Sequence, residues 1–205
     1  MSLDSGQVIV PLPAPRGSLP AATHVRSTLL LSSQQTLRAH DLYDRYVERL
    51  APEHRGAILD AVAGVWLPME VGMAHYAACE ALALRAEEQS ALGREVNQRV
   101  QGSFLGLLAR TARGAGVTPW TIMGGLGRLW GRVIDGGGGV EVTRTGPKDA
   151  RVELVGLPLL GVPYFRHAFR GVFHGGLEPL CRKAYVYERS EEGTETSAVF
   201  RVAWV

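Results

Sequence analysis

Apolar positions recur with helical spacing through the first two-thirds of the chain and with strand spacing after it. Ala39, Leu42, Tyr43, Tyr46, Val47 and Leu50 fall at i, i+3, i+4, i+7, i+8 and i+11. That is the stripe of an amphipathic helix, with Asp41, Asp44, Arg45, Glu48 and Arg49 turned to water. Ser32 and Gln35 form a capping-box pair at its predicted start. Pro52 predicts a second helix, with Ile58, Ala61, Val62, Val65 and Trp66 on its inner face. Pro68 opens a third. From Met69 to Leu84 only Glu70, Gly72, His75 and Glu80 interrupt an apolar surface, so this segment is expected to be the buried central helix. Glu87 and Glu88 begin a long fourth helix and Arg110 and Arg113 end it, the order that suits the helix dipole. Its inner face is Leu92, Val96, Val100, Phe104, Leu107 and Leu108. Thr118-Pro119 caps a fifth, bearing Trp120, Met123, Leu126, Trp130, Val133 and Ile134. Gly124, Gly125, Gly127 and Gly131 are expected to let that helix approach a neighbour closely.

At Gly136–Gly139 the period changes. Val140–Thr145 and Arg151–Val155 flank a Gly-Pro-Lys-Asp turn and predict a hairpin. Pro163 starts a helix with Phe165, Ala168, Phe169, Val172 and Phe173 on one face. A second hairpin joins Lys183–Glu188 to Ala198–Trp204, where Phe200, Val202 and Trp204 alternate with Arg201 and Ala203. Helices followed by hairpin–helix–hairpin predict an α+β fold, a helical layer packed on a four-stranded antiparallel sheet. Residues 1–22 are rich in Pro, Ser and Gly and read as an extended or mobile arm, in which only Val8, Ile9 and Val10 suit a strand. Residues 23–205 read as a single domain.

Composition narrows the class. The chain has 205 residues, 46% hydrophobic and 20% charged, enough to fill a core and unlike a disordered chain. A net charge of +2 lacks the basic excess of a nucleic-acid binder. Two cysteines, Cys79 and Cys181, make no disulfide framework and fit a reducing cytoplasm. No run approaches the roughly 18 apolar residues of a membrane span, and the N-terminus lacks the basic and apolar regions of a signal peptide.

Candidate chemistry is sparse. Gly124-Gly125-Leu126-Gly127 is no dinucleotide fingerprint, because Trp130 takes the third glycine's place and a helix precedes it. His75 and Cys79 stand one helical turn apart, but two donors do not complete a metal site. There is no nucleophile elbow, and no catalytic residue or cofactor is assigned. Arg166, Arg170 and His174 step by four with His167 beside them, a basic stripe suited to an anion or acidic partner, or to a solvated outer face. Trp66, Met69, Met73, Phe104, Trp120, Met123 and Trp130 set large, adaptable side chains among Ala and Gly, suited to an apolar ligand pocket or to a filled core.

The stretch FRHAFRGVFHGGLEPL from Phe165 to Leu180, with the following KAYVYE and AVFRVAW, resembles the ending of the 4-vinyl-reductase-type ligand-binding superfamily. Transport-particle subunits and heme nitric-oxide-binding domains share its broad fold group. The opening LRAHDLYDRYVERLAPEHRGAILDAVAGVWLPMEV is similar to a myxobacterial paralogous family of unknown function. Over residues 25–205 the resemblance implies a helical layer on a four-stranded sheet, a small-molecule or lipid pocket between them, and dimerisation. The Tyr-x-Ser-x-Arg heme signature and the cysteine cluster of the metal-associated members are absent. The expected function is a non-catalytic cytoplasmic sensor or adaptor, acting as a homodimer, that binds an apolar small molecule or a protein partner. The alternatives are a structural dimerisation module with a filled core, and a heme-binding or enzymatic protein.

Overall fold

β1 (Gln7–Val10) opens the chain, and β2 (His24–Arg26) runs directly into α1 (Ser27–Ala39). α2 (Tyr43–Arg49) and α3 (Pro52–Leu59) follow, then β3 (Trp66–Pro68), α4 (Met69–Glu80) and α5 (Ala86–Gln101). After α6 (Pro119–Val133) and β4 (Ile134–Asp135) come β5 (Gly139–Gly146), β6 (Asp149–Val155), α7 (Pro163–Leu177), β7 (Ala184–Glu188) and β8 (Ser197–Trp204). The computed structural model describes residues 6–101 and 118–205. The predicted end of the fourth helix, with Phe104, Leu107 and Leu108, lies outside the described residues.

Both C-terminal hairpins belong to one antiparallel sheet, ordered β1-β5-β6-β8-β7. Val142 lies opposite Val152 and Val152 opposite Phe200, so one apolar row crosses the three central strands. The sheet has five strands, not the expected four, because the Gln7–Val10 segment pairs with β5. The arm is also held by an ion pair from Arg16 to the buried Glu153 and by backbone bonds from Ala22 to Gly156 and from Gly138 to Pro20. β2, β3 and β4 form a separate three-stranded sheet, ordered β3-β2-β4.

Two further expectations are corrected. The helix predicted to start at Ser32 and reach Leu50 is broken into α1, which already begins at Ser27, and α2, because Asp41 takes a left-handed conformation at φ 56°. The apolar stripe continues across the break, so periodicity alone cannot reveal it. Trp66 sits in β3 rather than on a helix: α3 ends at Leu59, and the Trp66 backbone pairs with Arg26. The Arg26 guanidinium lies 4.6 Å over its ring. α4 is buried as expected, with Met69, Val71, His75, Tyr76, Ala78 and Cys79 all inside.

Close helix contact is made by glycines other than those expected. Among the described residues, Gly124, Gly125 and Gly131 of α6 have no neighbour within 4 Å where a Cβ would sit, and Gly127 meets only Val10. The tight crossing is between α5 and α7. A methyl at Gly93 would be driven into the Ala168 carbonyl, and one at Gly171 into the Ser90 carbonyl. Backbone cannot yield as a side-chain tip can, so these two positions tolerate only hydrogen. Gly171→Ala is expected to lower stability by ~2–3 kcal/mol despite alanine's better helix propensity. Gly124→Ala, open on the outer surface, is expected to raise it by up to ~1 kcal/mol. Urea unfolding of the two variants checks both signs.

Candidate functional site

The crossing of α5 on α7 leaves α6 standing away from α7, and between them lies a partly open cavity of about 170 Å³. Ile122, Leu126, Leu129, Trp130 and Val133 of α6 form one wall, and Phe165, Ala168, Phe169, Val172, Phe173 and Gly176 of α7 the opposite one. Gly93, Val96 and Asn97 of α5 close one side. Val140 of β5 and Leu154 of β6 make the floor, joined by Ile134 and Leu157, and Leu29, Ser33, Tyr76 and Tyr164 complete the lining. No charged side chain lines it among the described residues. The α6 wall is half-buried, in contrast to the floor, where Val140 and Leu154 are buried.

Of the seven apolar residues singled out in the sequence, Trp130 reaches this cavity, its Nε1 donating to the Gly137 carbonyl at 3.4 Å. Trp120 packs edge-on to Trp204 at 4.8 Å and donates to the Pro147 carbonyl. Met123 and Met69 are core residues, Met73 packs against the core, and Trp66 lies on β3. Phe104 lies outside the described residues. The rest of the lining is the apolar face expected in the helix after Pro163, opposed by the 122/126/129/133 stripe of α6, of which Leu126 and Val133 belong to the apolar face expected for that helix.

The basic stripe of α7 is divided. Arg166 is a structural staple. Its Nε donates to the Leu160 carbonyl at 2.5 Å, Nη1 pairs with Glu188 at 2.6 Å, and Nη2 donates to the carbonyls of Thr194 and Ser197. Four of its five N–H donors are thus committed within the chain. His174 stands 3.1 Å from Glu178. His167 and Arg170 are half-buried on the same helix. A second hollow, on the outer face of the sheet, contains Arg151, Arg189 and Arg201, each already paired with a carboxylate.

Behind the cavity lies a buried polar chain. Tyr46 Oη and His75 Nδ1 are 2.6 Å apart, and His75 Nε2 is 3.8 Å from Cys79 Sγ. Ser33 and Tyr164, both on the cavity lining, stand beside the Cys79 thiol. Burial disfavours every charged form here: it lowers the His75 pKa from 6.5 to about 3 and raises Tyr46, Tyr76, Tyr164 and Cys79 well above their ordinary values. All members are therefore neutral near pH 7. Both thiols are free, and the described residues hold no group of three or more potential metal ligands.

Against solved structures, this arrangement of elements returns heme nitric-oxide-binding (H-NOX) domains. The Fe(II) unliganded H-NOX protein from K. algicida matches with a TM-score of 0.63 at 9% identity, over 88% of this chain and 96% of that one. The chain has the H-NOX fold. A T. Tengcongensis H-NOX mutant gives 0.59 at 14% identity, over 87% of this chain and 97% of that one. An oxygen-binding H-NOX domain related to soluble guanylate cyclases gives 0.57 at 15%, over 87% and 94%. No family model and no curated protein matches the sequence.

Those H-NOX structures raise the question of heme, and the residues here do not fit it. Protein ligands to heme iron are His, Cys, Met or Tyr. None of the six histidines, neither cysteine and no methionine lines the cavity among the described residues, and residues 102–117 contain none of the four types. Tyr76 and Tyr164 are the two residues of those four types that line it among the described residues. The described lining offers no cation for the macrocycle's carboxylates.

The His75 environment fixes an acid sensitivity. The unfolded chain takes up a proton near 6.5 and the folded one only near 3, so stability falls as pH drops between those values. By pH 5 the loss from this group is about 2 kcal/mol, absent in His75→Gln. Urea midpoints from pH 7.5 to 5 compare the two slopes.

Proposed function

We propose that this chain is a non-catalytic sensor domain that uses the H-NOX fold to bind a compact apolar small molecule. The carrying observation is the cavity: about 170 Å³, almost wholly apolar, and without a histidine, cysteine or methionine among its described lining. An engineered cavity of about 150 Å³ stays dry and binds benzene, so the volume favours a molecule of that class over a lipid. The half-buried α6 wall supports the same reading, since a ligand adds the apolar contact that the wall lacks. Readout through a homodimer or protein partner belongs to this proposal, and light scattering with and without ligand tests the first.

The fold comparison taken alone favours heme, because the similar structures are H-NOX domains, several described by their iron or heme. The donor set weighs the other way. Incubation with hemin separates the two readings: free-heme absorption alone is expected, and a stoichiometric Soret band would restore the heme reading.

Benzene or indole at a hundred times its dissociation constant is expected to stabilise the protein by ~2.7 kcal/mol, read as a raised thermal midpoint. Val172→Phe, which fills the cavity from α7, is expected to remove that response while the protein stays folded. A wild-type midpoint that no compact apolar compound raises would retire the proposal.

A further inference from the structure

The two edges of the five-stranded sheet differ. β1 is guarded: its pairing with β5 shifts register between Val8 and Val10, Pro11 follows it, and α6 leans on it. β7 pairs with β8 in unbroken register from Ala184 to Glu188. The Val205 N–H donates to the Lys183 carbonyl at 3.0 Å, and the Arg189 N–H to the Val199 carbonyl at 2.8 Å. Antiparallel alternation therefore turns the backbones of Lys183, Tyr185, Tyr187 and Arg189 toward β8, and the N–H and C=O groups of Ala184, Val186 and Glu188 toward the open rim. Among the described residues no loop backbone takes up those groups. Natural edges are commonly blunted by a bulge, a proline or a free charge. β7 has neither bulge nor proline, and its one charged side chain, Glu188, is paired with Arg166 at 2.6 Å. On the outer face Tyr185 and Tyr187 stack at 6.4 Å, and Tyr187 is 57% exposed.

We infer that the β7 edge is a homodimer interface, joined antiparallel to β7 of a second copy so that one sheet continues through both subunits. The order of charge along the strand selects this occupant. Arg182 and Lys183 precede it, while Glu188 ends it with Glu191 and Glu192 beyond, and Arg166 and Arg189 offset only part of that acidity. An identical strand running the opposite way sets the basic start of each copy beside the acidic end of the other; parallel addition would set like against like. A two-fold axis through the rim engages both open backbone rows at once and brings both tyrosine pairs onto one outer surface. The interface rests on the homodimer of the proposed function and is independent of its cavity.

Sedimentation velocity over a dilution series measures the mass of the full chain, and amide hydrogen exchange by NMR on the same samples reads the rim. The wild type is expected to approach twice 22.2 kDa as concentration rises. Its Val186 amide is expected to exchange about tenfold more slowly once about nine-tenths of the chains are dimeric. Tyr187→Lys, which replaces an exposed ring with an edge charge, is expected to weaken the dimer about tenfold, because a symmetric interface carries the change twice. A dimer whose Val186 amide exchanges equally fast at every concentration overturns the β7 interface, whatever Tyr187→Lys does, and leaves the homodimer standing. A wild type that stays monomeric overturns both and leaves the rim to a strand of another protein. The exchange measurement needs no variant, so it decides even where Tyr187→Lys fails to fold.

Discussion

The contact on which the architecture depends is the near-touching of two backbones, where Gly93 and Ser90 of α5 meet Ala168 and Gly171 of α7. Glycine lets the helices approach until one helix's carbonyls lie where the other's side chains would be. Such closeness pulls α5 onto α7. α6 follows a different course, leaning on β1 and β5 with little packing against α7. The cavity is the space left between a helix pair packed at its limit and a third helix that is not. Its walls are apolar because each is the inner face of an amphipathic helix, and its floor because Val140 and Leu154 face each other across β5 and β6.

A second constraint is the dryness of the layer behind the cavity. Tyr46, His75 and Cys79 are linked across α2 and α4, with Ser33 of α1 and Tyr164 of α7 beside them. A buried histidine without a partner would be a liability; tied to Tyr46, it sits between two aromatic rings, with Tyr46 and Tyr76 both packed edge-on against it. The Tyr164 backbone N–H is in turn capped by Glu80 at 2.5 Å, which anchors α7 to the end of α4. This layer gives the site a rigid back and leaves its chemistry neutral.

Much of the fold was legible in the sequence because it is written locally. The alternation Phe200, Val202, Trp204 against Arg201 and Ala203 specifies a strand with one buried face, and the Gly146–Asp149 turn a hairpin. Pro119 and Pro163 mark the true starts of α6 and α7. What escaped is non-local. β2 and β3 are three residues each, too short for a pattern, and exist because they pair with each other. Arg166 reads as surface charge until its acceptors arrive from Leu160, Glu188, Thr194 and Ser197. The glycines of α6 look like contact points and those of α5 and α7 look incidental; only the crossing tells them apart. For the site, aromatic and methionine content pointed to the core at large, and the α7 face that builds the wall was visible only as a helix stripe.

The Arg166 staple has a mechanical corollary. One guanidinium joins the entry to α7, strand β7 and the loop before β8, doing with hydrogen bonds what a cross-link would do covalently. Anchored there, and wedged by glycine against α5, α7 has no freedom to slide over the sheet. Among the described residues, α6 has no comparable anchor on α7 and instead rests on the edge strand, where Gly127 lies against Val10.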